Sequence, residues 1–110
     1  MKNYVQDGEH ITVTAPANVT SGQGVLVGDI FGIASHDALS GAQVTLVRHG
    51  VVSHAKTSAQ AWTEGVKVYW DDGNSVFTTT ASGNKLVGAA AAEAANPSAT
   101  GNVLLDGAVR

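Results

Sequence analysis

The segment GVVSHAKT at positions 50–57 is one residue away from the phosphate-binding pattern G-x-x-x-x-G-K-[ST]. That pattern works because glycine lets main-chain amides close around a phosphate while the lysine meets its charge. Here Ala55 stands where the second glycine belongs, and a Cβ would crowd the approach. A carboxylate at Asp71 ends a following strand, where a metal-orienting acid would sit. The rest of the chain is too short for the parallel sheet such a site needs, because each strand-helix-strand crossover takes roughly 30 residues. Lys56 is therefore expected as a solvated lysine at a strand end. A nucleotide-binding recombination accessory protein remains as an alternative.

Three histidines, His36, His49 and His54, fall close together with Asp37. On one extended strand His49 and His54 point to opposite faces, so a shared metal would require a turn between them. With no cysteine and no fixed ligand spacing, exposed histidines flanking turns are the expectation, and no metal or cofactor is implied. Asp71 and Asp72 diverge as neighbours on a strand and lack calcium-loop spacing, which makes them turn residues. The nucleophile pattern G-x-S-x-G is absent, and Asp29, His36 and Ser53 form no recognisable triad. Gly22, Gly24 and Gly28 miss the dinucleotide-binding spacing by one residue and lead into a strand. No catalytic residues emerge, and the chain is expected not to be an enzyme. Trp62 and Trp70 are expected to anchor the core, since aromatic rings bury the most area per residue. A host- or glycan-binding module, using exposed rings such as Trp62 or Tyr69, is a second alternative.

The elements that must position these residues are extended ones. Fifteen valines, three isoleucines and ten threonines outweigh six leucines and one methionine, a balance that favours strands. Ile11, Val13 and Ala15 alternate with His10, Thr12 and Thr14, and Val44 and Leu46 with Gln43 and Thr45. Val66, Val68 and Trp70 share a face opposite Lys67 and Tyr69. The sequence DDGN at 71–74 joins this strand to another over 75–79, its Asp-Gly pair supplying the positive φ of a tight hairpin turn. Turn signals built on the other glycines recur at short intervals. Together they predict a mainly β chain, a small single-domain β-barrel or sandwich, with one short helix over 57–62 plugging one end.

The alanine-rich stretch is the local conflict, because alanine has the highest helix propensity. Gly88 precedes the run and Asn96 with Pro97 breaks it, leaving fewer than the roughly 12 residues a helix needs by itself. A strand over 86–93, paired with residues 102–106, is expected instead.

Length and charge narrow the function. At 110 residues the chain is expected to form one domain, whose modest core would gain from association with copies or partners. The net charge is −3, and the six basic residues (Lys2, Arg48, Lys56, Lys67, Lys85 and Arg110) are spread singly, which argues against nucleic acid as a partner. No apolar run is long enough to span a bilayer, and no basic, apolar leader opens the sequence, so a soluble chain without membrane partners is expected.

Several ordered segments carry a further signal: MKNYVQDG at 1–8, Ser21 with Gly22, VGDIFGIA at 27–34, GVV at 50–52, AWTEG at 61–65, VYWD at 68–71 and LVG at 86–88. Taken in this order they resemble the bacteriophage capsid cement family, the small head-decoration proteins of tailed phages and prophages. The resemblance runs from Met1 to the end of the chain. Arg48, His49 and His54 are more polar than that pattern, and no proline accompanies Lys56.

The resemblance implies a non-enzymatic β protein on the outer surface of the virion capsid, reinforcing contacts between major capsid protein subunits and residing in the bacterial host cytoplasm before assembly. It implies a homo-oligomer, with a trimer at a local threefold position suggested by analogy with other decoration proteins. The amino-terminal residues Lys2, Asn3, Tyr4, Val5 and Gln6 precede the first clear strand. They are expected to form a flexible arm over 1–6 that contacts the capsid or a neighbouring subunit, since chain ends order mainly when tied down.

Overall fold

The computed structural model describes residues 10–107; the proposed contact residues Lys2, Asn3, Tyr4, Val5 and Gln6 lie outside that range. Nine strands follow in order: β1 (His10–Thr14), β2 (Gly24–Val27), β3 (Ile30–Ala34), β4 (Gln43–Val47), β5 (His49–Ala55), β6 (Lys67–Asp71), β7 (Val76–Thr78), β8 (Lys85–Ala90) and β9 (Thr100–Asp106). They form two antiparallel sheets, β1-β4-β3-β2 and β5-β9-β8-β6-β7. A single residue, Arg48, carries the chain from one sheet to the other. Its guanidinium donates to the Gly107 carbonyl, which ties the crossover to the far end of β9.

Alternation of buried and more exposed side chains along β4, β6 and β9 sets their inward faces. β9 is the clearest case: Gly101, Val103 and Leu105 are buried while Asn102, Leu104 and Asp106 are exposed. In the first sheet Val44 and Leu46 are fully buried, packed with Ala15, Val19, Val25 and Ala34. The second core gathers Trp62, Trp70, Phe77, Val68, Val103 and Leu105, with Trp62 and Trp70 buried as expected. Phe31 joins the two cores. It leaves β3 of the first sheet and packs in the second core, its ring centroid 5.0 Å from that of Trp70 and 6.0 Å from that of Phe77. Gly24 of β2 also lies against Trp70, where an added Cβ would stand 2.4 Å from the indole. Lys85 reaches across to Asp29 at 2.6 Å, an exposed ion pair worth at most about 1 kcal/mol.

Three expectations need correction. First, residues 57–62 form a turn instead of a helix, and no helix occurs among the described residues. The carbonyls of Thr57 and Gln60, which a helix would direct along its axis toward later amides, instead converge on the Lys56 ammonium. Second, the sheets do not close into a barrel. The outer strands β5 and β7 meet at one bridge, Lys56 with Phe77, where the Thr57 amide donates to the Phe77 carbonyl at 2.9 Å. The bridge is not continued into a ladder, and β5 and β7 remain the two edges of the sheet. Third, the hairpin turn takes its positive φ at Ser75 (54°), and Gly73 is not among the positive-φ residues. Asp71 stabilises that turn by accepting from the Asn74 main-chain and side-chain amides.

The alanine-rich stretch is a strand, as context predicts, although it ends at Ala90 and not near Glu93. Gly88 pairs with Leu105 and Ala89 with Leu104. Ala94 then bridges Trp62, with main-chain hydrogen bonds in both directions. Small side chains in β8 allow the close approach of β9, which a helix over the same residues would have forfeited.

Candidate functional site

The segment at 50–57 runs along β5 to the edge bridge, with no loop and no following helix to cradle a phosphate. Lys56 corrects the expectation of a solvated residue: it is 3% exposed. Its ammonium donates to the carbonyls of Thr57 at 2.8 Å, Gln60 at 2.5 Å and Ser98 at 3.4 Å, and sits 5.5 Å from the centre of a Trp62 ring. The charge is directed inward onto dipoles and an aromatic face, which satisfies it without a phosphate. Gln60 completes the cluster. Its side-chain oxygen accepts from the Thr79 amide at 3.0 Å, the Thr78 hydroxyl at 3.3 Å and the Trp62 indole at 3.4 Å, while its amide donates to the Thr80 hydroxyl. Lys56 and Gln60 thereby fasten the turn after β5, the segment after β7 and the approach to β9 into one unit.

The histidines are not brought together. His36 Nε2 accepts from the Thr45 amide at 3.2 Å, so Nδ1 carries the proton and donates to the Asp37 carbonyl. His49 lies exposed and bonds the Asp106 carbonyl through Nε2 at 2.8 Å. His54 points to the opposite face, as their five-residue spacing predicts, with its ring edge-on to Trp70 and Phe77 at 5.4 and 5.6 Å. No group of three metal-ligating side chains converges among the described residues. Asp72 accepts from the Trp70 indole N–H at 3.0 Å, so the aspartate pair serves the hairpin and its tryptophan. Burial of Trp62 removes that ring from any glycan-stacking surface, and Tyr69 is half-buried.

What the surface offers is apolar contact. Among the described residues the exposed large hydrophobic ones are Leu39 (71%), Val51 (60%) and Leu104 (49%). Leu39 borders an open hollow of about 500 Å³ lined by Val19, Ala38 and Ala42 at one end of the first sheet. Val51 and Leu104 are cross-strand partners on the outward face of the second sheet. Reading residues for reactive chemistry misses all three. The adjacent pairs Val51 with Val52 and Leu104 with Leu105 carried the signal, because neighbours on a strand face opposite sides and one of each pair must point outward.

The sequence profile of the phage cement proteins matches residues 5–105, and the chain belongs to that family. The family is structural, and membership associates the chain with the phage capsid. No curated protein and no solved structure shows significant similarity to the chain.

Proposed function

We propose that this protein decorates the outer surface of an assembled phage or prophage head and stabilises contacts between major capsid protein subunits. The family match over residues 5–105 is the observation that carries this reading. The β framework supports it: Lys56 and the rings of Trp62 and Trp70 are turned inward, and the outward apolar residues suit contact with another protein surface. The mechanism is mechanical. Each copy adds interface free energy that exists only in the assembled lattice, so binding shifts the balance away from partly opened shells. Self-association of the copies multiplies contacts and raises apparent affinity through effective concentration. The chain acts as one domain, without catalysis, nucleic acid or membrane as partner, first in the host cytoplasm and then on the virion.

Lys2, Asn3, Tyr4, Val5 and Gln6 form the arm that touches the capsid or the neighbouring copy. Co-sedimentation with expanded, undecorated heads tests both parts. The intact chain is expected to saturate at a fixed ratio to major capsid protein, and deletion of residues 1–6 to lower that occupancy. Failure of the intact chain to sediment with heads overturns the role; unchanged occupancy after the deletion overturns the arm.

A further inference from the structure

Among the described residues the outer edge of β5 is open. Its ladder runs to β9 on one side, and on the other side the bridge to Phe77 engages only the Lys56 end. From His49 to Ser53 no second strand lies alongside among the described residues. Exposed edges are ordinarily protected by lysine, proline or other charged side chains. The β5 sequence HGVVSHA has no proline and no Asp, Glu, Lys or Arg. Gly50, at φ +107°, bends the edge, yet the pairing with β9 continues through it from His49 to Ala55.

The side chains beside this edge form an uncharged stripe. Across the outward face, Val51 stands opposite Leu104, Leu104 opposite Ala89, and Ala89 opposite Lys67. Apolar residues therefore reach the open edge, and the lysine lies at the far end.

We propose that the β5 edge pairs antiparallel with the β5 edge of a second copy, centred on Val51. An antiparallel strand pair is self-complementary about a twofold axis, because each edge supplies the donors and acceptors that the other lacks. In this register Val51 faces Val51 and His49 faces Ser53. The stripe becomes continuous, Leu104 and Val51 of one copy meeting Val51 and Leu104 of the other, with the lysines held apart at the outer ends. Each chain carries a net charge of −3, but none of the formal charge lies on the strands that meet. So short an edge covers less than the roughly 1,600 Å² of a standard interface, so the pair gains most from copies held close together.

The proposal specifies the surface for the self-association put forward above, and a cysteine at its centre tests it. The chain has no cysteine, so any disulfide formed must come from the substitution. Directly opposed residues in an antiparallel pair hold their Cβ atoms about 4.5–5.5 Å apart, close enough to be bridged with slight adjustment. Under mild oxidation Val51→Cys is expected to give a disulfide-linked dimer at least about tenfold faster than the exposed control Ser82→Cys, as pre-paired thiols should. Equal rates for the two variants overturn the pairing. So does a wild-type assembly with an odd number of copies, such as a trimer, because a twofold edge pair generates even numbers. Either of those results in a chain that still saturates heads leaves the capsid role standing. Rapid cross-linking of Val51→Cys in a chain that ignores heads supports the edge and overturns the capsid role.

Discussion

Gly88→Ala should destabilise the chain by about 3 kcal/mol or more, because overpacking against rigid main chain has no rotamer to relieve it. The new Cβ would stand 1.9 Å from the Leu104 carbonyl oxygen and 2.9 Å from its carbon, both main-chain atoms of the neighbouring strand. Relief requires β8 and β9 to separate, and these are interior strands of the second sheet. Their separation would displace Val103 and Leu105 from Val68 and Trp70 in the core. Gly73→Ala is the comparison. Its Cβ would meet only the Asp71 carboxylate, at an ordinary 3.5 Å. Denaturant midpoints of the two variants measure the difference; equal midpoints would contradict the close approach of β8 and β9.

Lys56→Met should cost about 2–4 kcal/mol, since it leaves three partly buried carbonyls without their charged donor. Methionine retains the apolar stem and much of the contact with Trp62, so the loss isolates the ammonium. The carbonyls of Thr57 and Gln60 would have to turn toward water, loosening the Gln60 side chain from Thr79 and Trp62. For a chain of this size the melting temperature should fall by roughly 9–17 °C, with a matching change in tryptophan emission as Trp62 is exposed. A variant that melts with the wild type would contradict the structural role of this lysine.

The strands were legible where side chains alternate. β1, β4 and β6 follow the two-residue period, and Trp62 and Trp70 take core positions because of their size. The alanine run became legible only through Gly88 and the break at Asn96 and Pro97, against its own propensity. Lys56 was not legible. Residue type places a lysine in water, whereas its burial depends on three carbonyls, two of them in the turn that follows and the third 42 positions away. The same convergence replaced the expected helix with a turn. The open barrel was not legible either, because whether the edge strands β5 and β7 meet along a ladder or at one bridge depends on how the sheet curls, which the composition of neither strand sets.

The central claim is that this protein strengthens a shell by adding contact area to it. Its most direct test is the heat resistance of expanded heads, followed as shell disruption while the protein is titrated in. The midpoint should rise with added protein and level off once the lattice sites are filled, as expected for a ligand bound only by the intact form. Heads that take up the protein fully yet come apart at the same temperature as bare heads would contradict it.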